Sequence, residues 1–240
     1  MKKGLKIGLF TGLGFLVAGF ILTIVFGYTT YESTYTYTNE EEIHTLIIDS
    51  DISSVNIRTG SSFHIETEDL PRANEDGKRI QVKQSESNGV YTFKTKFKGK
   101  KFMSKEDVEI NVWVPESVKV IQVQLNVGEL EMENVHVDTL DVRADVGDVS
   151  FENVTARTVK CTNNLGDIEF DGDFTETMDM QCNVGDVEIE LLRPVTEYAY
   201  DINCKVGKFE IENGMGTNNP NATSKLTCRL DVGNCEIEFR

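Results

Sequence analysis

Ten carboxylates in this chain fall on a regular grid: Glu131, Glu133, Asp148, Glu152, Asp167, Glu169, Asp171, Asp186, Glu188 and Glu190. Seven lie three or five places after a glycine, and three lie directly after one. Clustered carboxylate oxygens can ligate calcium, attract a basic partner, or divide into a general acid and a general base. The last use needs two acids in different environments, so that their proton affinities separate. Acids repeated on a grid share one environment, so neither a glycosidase nor a lyase is expected, and no catalytic residue is assigned. The nine-residue Gly-Gly-x-Gly-x-Asp repeat of calcium β-rolls is absent from the chain. Weak binding of divalent cations or of a basic partner stays open. So does a plain solvated face whose like charges block association between sheets.

A second charged group has the opposite sign. In "YTFKTKFKGKKFMSK" (91–105), Tyr91, Phe93 and Phe97 alternate with Lys94, Lys96 and Lys98, and Lys100, Lys101 and Lys105 follow. The stretch reads as an edge strand guarded by lysine, or as a contact for anionic lipid headgroups or an anionic wall polymer. Cys161, Cys182, Cys204, Cys228 and Cys235 recur at inward positions without a Cys-x-x-Cys motif, which suits small core side chains. A Cys182–Cys204 bridge between neighbouring repeats is the alternative. His44, His64 and His136 are scattered and form no ligand spacing. No cofactor is expected, and a net charge of −16 argues against nucleic acid.

The element that must position the acids is a strand. The motif glycines Gly128, Gly147, Gly166, Gly185, Gly207 and Gly233 are spaced 19, 19, 19, 22 and 26 apart. Two and four places after each comes an apolar residue, and the intervening positions are polar, a period of two. A repeat near 20 residues indicates a solenoid whose copies bury an apolar face by stacking. "DISSVNIR" (51–58) fits the same pattern with Ser53 at the glycine place. The expected fold is all-β: a single-stranded parallel β-solenoid over 43–240, with rungs of about 19–26 residues stacked in chain order and an irregular insertion at 66–105. Stacked acids then stand ~4.8 Å apart, at about 1 kcal/mol per like-charged pair in water.

Ahead of the solenoid, residues 7–27 carry no charge. They are long enough for one transmembrane helix at ~1.5 Å per residue. Lys2, Lys3 and Lys6 precede the span, and no Lys or Arg follows it before Arg58. This places residues 1–6 in the cytoplasm and everything after the span outside the cell membrane. Gly4, Gly8 and Gly12 share one helix face, which suits close pairing of spans. Residues 28–42, with Tyr28, Tyr31, Tyr35 and Tyr37, read as a juxtamembrane stalk.

The "VGDVEIE"-type runs, the lead-in "VEINVWVPESVKV" (108–120) and the N-terminal apolar segment together resemble the bacterial "putative adhesin" β-strand-repeat family, also called toastrack. Within it they resemble the LiaG-type membrane-anchored proteins of Gram-positive envelope-stress operons. The resemblance covers about 43–240 and implies a non-enzymatic β-solenoid ectodomain without catalytic residues. The function it implies is interaction or sensing at the cell envelope, with an envelope protein as partner. The rival expectation is an adhesin or a cation-dependent ligand-binding surface protein.

Overall fold

Alternating apolar and polar residues become strands on both sides of every motif glycine in the computed structural model, which describes residues 32–38, 42–71, 80–97, 108–212 and 218–240. The expected span at 7–27 lies outside the described residues, among which no helix is long and apolar enough to cross a membrane. The described residues belong to one unit, Glu32–Arg240. Its first strands are β1 (Glu32–Thr38), β2 (Thr45–Ile52), β3 (Ser54–Thr59), β4 (His64–Pro71), β5 (Ile80–Ser87), β6 (Val90–Phe97) and β7 (Glu109–Val114). The regular repeats follow as β8 (Val120–Val127), β9 (Leu130–Glu133), β10 (His136–Val146), β11 (Val149–Leu165), β12 (Ile168–Val184) and β13 (Val187–Leu191). A short 3-10 turn at Val195–Glu197 leads to β14 (Tyr198–Val206), β15 (Phe209–Glu212), β16 (Ser224–Val232) and β17 (Cys235–Phe239).

The strands curl into one sheet with two faces. One face runs β5–β6–β2–β8–β10–β11–β12–β16–β14. The other runs β1–β4–β7–β3–β9–β11–β12–β13–β17–β15. The long strands β11 and β12 turn the corner and serve both faces. Pairing is parallel except at β1–β4, β4–β7 and β5–β6, which cap one end, and it is in register apart from shifts where β11 and β12 turn the corner. The parallel solenoid inferred from the glycine period is therefore present. Between the faces lies one core, with Leu130, Val149, Ile168 and Val187 in one column and Met132, Phe151, Phe170 and Ile189 in another.

Glycine is required at the corner for two reasons. Gly166 has φ +132°, and a Cβ there would stand 2.1 Å from the carbonyl oxygen of Gly147 in the rung below. Gly147 stands in the same relation to Gly128, and Gly128 to Ser53, at 1.9 Å in each case. Each corner carbonyl thus occupies the place of the next side chain. The carbonyl also needs a donor. Asn163 Nδ2 donates to the oxygen of Gly147 at 2.8 Å, Cys182 Sγ to Gly166 at 3.4 Å, and Cys204 Sγ to Gly233 at 3.3 Å. The thiols at this position are hydrogen-bond donors to the corner carbonyls as well as core filling.

The expected stacking in chain order fails at both ends. The rung of β16 and β17 inserts between the Gly185 rung and the rung of β14 and β15, so Gly233 lies between Gly185 and Gly207. At the other end, β2 and β3 lie inside β6 and β7. Cys182 therefore faces Leu230, and Leu230 faces Cys204. Two strand spacings, about 9.6 Å, separate the two cysteines, beyond the reach of a disulfide. All five cysteines are free. The close pair is instead Cys228 and Cys235, with sulfurs 3.5 Å apart across the core.

Two further expectations are corrected. Residues 66–105 are not simply irregular: they include most of β4, and β5 and β6 form a hairpin whose second strand joins the parallel sheet. Part of the expected stalk is strand β1, and Tyr37 stacks on Tyr91 at 4.7 Å and meets Phe63 edge-on at 6.4 Å. Both segments lack the "VGD" signature because they close the end rather than repeat along it.

The inserted rung is held by Arg193. Its guanidinium donates to Asp173 at 2.7 and 2.9 Å, to Ser224 Oγ at 3.0 Å, to Glu197 at 3.0 Å and to the carbonyl of Phe174. It also lies 4.6 Å from the centre of the Tyr198 ring, whose hydroxyl donates to Asp173 at 2.6 Å.

Burial raises the Cys182 thiol from 9.0 to about 11, helped by Asp167, and burial raises Cys161 further still. A folded value above the unfolded one gives stability that is complete below pH 9 and declines as pH rises toward 11. The urea midpoint is expected to fall across this window, and to fall less steeply in Cys182→Val. Identical slopes for the two proteins would refute the assignment.

Candidate interaction surface

Parallel register turns the acids into columns. The column three after glycine runs Asn56, Glu131, Ser150, Glu169, Glu188, Glu236, Glu210. The column five after runs Arg58, Glu133, Glu152, and then Asp171, Glu190, Glu238, Glu212 beyond the β11 corner. Among the described residues, two arginines meet these columns. Arg58 reaches Glu133 at 2.8 Å and Glu131 at 3.9 Å, while Arg240 contacts Glu190 and reaches Asp171 at 3.6 Å. No described cation pairs with Glu169, Glu188, Glu236 or Glu210, four exposed neighbours in one line. Beside the last three lies a shallow depression of about 390 Å³, bounded also by Asp186, Lys208 and Asn234. Among the described residues no three His, Cys, Asp or Glu side chains converge to hold a metal ion. The carboxylates stand in rows at strand spacing and do not wrap around a point, so the arrangement suits an extended cationic surface.

The acids directly after glycine have a different role. Asp148 accepts from the backbone N–H of Asp167 at 2.9 Å, Asp167 from that of Asp186 at 2.7 Å, and Asp186 from that of Asn234 at 2.7 Å. Asn234 continues the series to the N–H of Lys208 at 3.3 Å. These side chains tie each corner to the next rung. A second ladder two places before glycine links Asp145, Asn164 and Asn183, with amide donors at 2.8 and 2.9 Å. Asp148, Asp167 and Asp186 thus each commit one carboxylate oxygen to the corner while remaining exposed beside the outward columns.

One feature of the surface escaped the sequence reading. The residues just before the glycines, Val127, Val146, Leu165, Val184, Val232 and Val206, are between 41 % and 62 % exposed. They form an apolar ridge along the glycine corner, beside the acidic face. The signal for it was the repeated Val-Gly or Leu-Gly pair, which a strand pattern alone would assign to the core.

The opposite face is mixed in charge. Lys94 pairs with Asp49 at 2.9 Å, Arg229 with Asp179 at 3.2 Å, and Arg143 lies 3.8 Å from Asp141. Tyr91 and Phe93 point into the core as expected, with Lys94 and Lys96 outward. β6 is not an edge, because β2 and β5 flank it, and Lys83 of β5 stands opposite Lys94. Lys98, Lys100, Lys101 and Lys105 lie outside the described residues. His44 and His136 are exposed and apart, and His64 packs against Trp113.

A model of the family Toastrack DUF4097 matches residues 41–236. No curated protein matches the sequence. Among solved structures, a "putative adhesin" from Bacteroides fragilis is 13% identical with a TM-score of 0.51, covering 87% of this chain and 98% of its own. A "putative cell adhesion protein" from Clostridium sporogenes is 10% identical with a TM-score of 0.49, covering 87% and 100%. At these identities the likeness to the Bacteroides fragilis protein speaks to the fold alone.

Proposed function

The chain belongs to the Toastrack DUF4097 family, and from that premise we propose that it is a non-enzymatic interaction module displayed outside the cell membrane, where it senses or relays envelope stress through a cationic partner. The observation that carries this reading is the line Glu169–Glu188–Glu236–Glu210, with which no described cation forms an ion pair. Four like charges in register cost stability that no fold requirement explains, since the corner aspartates and the buried columns already define the stack. A cationic partner would recover that energy. The apolar ridge beside the acids supplies the desolvated contact that charge alone lacks.

Anchoring by residues 7–27 is supported by their uncharged length and by the lysines that precede them. The LiaG-type role in envelope stress is supported by resemblance. The lysines of 94–105, joined by Lys83, favour an additional contact with anionic lipid or wall polymer.

Topology and partner are tested together in wall-stripped cells. External protease should remove an epitope tag placed after Arg240. A photo-crosslinking residue at Glu188 should capture a cell-envelope protein, and the same residue at exposed Lys160 on the opposite face should not. A protected tag would reverse the topology, and equal capture from both faces would remove the acidic face as the contact.

A further inference from the structure

The two ends of the solenoid are finished differently. The antiparallel strands β1, β4 and β5 close one end. At the other, among the described residues, β15 pairs only with β17, and β14 only with β16. The inward column shows the consequence: Val187 and Cys235 are each 1% exposed, whereas Phe209, the next in line, is 48% exposed. Repeat proteins need a polar cap over such a surface.

Part of this edge is already closed. The side-chain amide of Asn218 accepts from Tyr200 N–H at 3.1 Å and donates to its carbonyl at 2.9 Å, as a neighbouring strand would. The free part begins beyond it. Cys235 N–H donates to the Lys208 carbonyl at 2.9 Å, and by the alternation of a parallel ladder the N–H and C=O groups of Phe209 and Ile211 then face away from β17. Among the described residues nothing bonds to them. Both acidic columns end at this same edge, in Glu210 and Glu212.

We propose that this open end receives an extended basic segment of another protein, added beside β15 as one more strand. The proposal rests on the reading of the acidic face as an interaction surface and names where and how the partner docks. Backbone groups of Phe209 and Ile211 give the pairing, the added strand's apolar side chains cover Phe209 and Ile211, and its alternate lysines or arginines extend the columns that end in Glu210 and Glu212. Charge selects against a second copy of this chain. Antiparallel pairing of two β15 strands centred on Ile211 would bring Glu210 of each copy against Glu212 of the other, and like charges directly opposite destabilise a pair.

The test uses the full chain in detergent at physiological salt and two fluorescent eight-residue peptides. One alternates lysine with valine and threonine; the other has the same composition with its lysines in one block. The alternating peptide should bind at least tenfold more tightly. Ile211→Pro removes an N–H that no described strand uses and should cost at least tenfold in that affinity while leaving the melting temperature within a few degrees. Glu210→Lys combined with Glu212→Lys should weaken binding similarly. Equal affinity of the two peptides, or indifference to Ile211→Pro, would overturn docking at the end and leave a contact spread over the acidic face. No binding of either peptide would overturn both readings. A dimer that Ile211→Pro converts to a monomer would make a second copy the occupant and overturn the proposal.

Discussion

Gly166→Ala is expected to lose about 3–5 kcal/mol of stability, read as a lowered urea midpoint, while Glu169→Val three residues away changes it by less than about 1 kcal/mol. The smallest possible side chain suffices, because its Cβ would meet the backbone oxygen of Gly147 at 2.1 Å and the backbone already sits at φ +132°. The obstacle is backbone, so a rotamer change cannot relieve it. The rungs would have to separate, breaking hydrogen bonds on both faces. Glu169 is exposed within a line of like charges, and removing it deletes repulsion from Glu188. Equal midpoints for the two variants would contradict the account of the corner.

Arg193→Met should cost about 2–4 kcal/mol, less than a fully buried ion pair because the guanidinium is partly wet. The loss strips the guanidinium from Asp173, the carbonyl of Phe174 and Ser224, leaves the Asp173 charge without its cation, and removes one of the ties between β12 and the inserted rung. Adding Asp173→Asn removes the stranded charge yet keeps an acceptor for the Tyr198 hydroxyl. The double variant should therefore be more stable than Arg193→Met alone. Strict additivity of the two losses would show that the pair is not coupled.

The glycine period and the apolar columns were enough to infer a parallel solenoid, because each follows from local chemistry: a corner without a Cβ and a strand with two faces. The placement of Glu169 and Glu188 outward followed from the same period. The order of the end rungs did not follow, because pairing between like repeats is nearly degenerate and local residues do not choose the neighbour. The only hint was the drift of the spacing to 22 and 26 around Gly207, which marks the detour. The roles of Asp148, Asp167 and Asp186 were hidden for a related reason. An exposed aspartate and one that accepts from the next rung's backbone share one place in the repeat, and only the turn of the corner separates them. The cap formed by β1, β4 and β5 was invisible because capping strands pair antiparallel and carry no repeat.

The inserted rung bears on how the polypeptide emerges from the ribosome. β14 and β15 leave it before β16 and β17, yet their final neighbour is that later rung. In the interval the Gly185 rung offers them a surrogate partner with the same columns and the same corner. A growing chain that accepts the surrogate must release it before β16 and β17 can enter. Here the departures from the repeat in this segment have a use. Lys205, Lys208 and Phe209 replace the asparagine, aspartate and smaller aliphatic residue of the Gly185 rung, so the two rungs are not interchangeable surfaces for the strands that follow. Imperfect repetition gives a growing ladder a means of telling one rung from the next, where identical repeats would offer none.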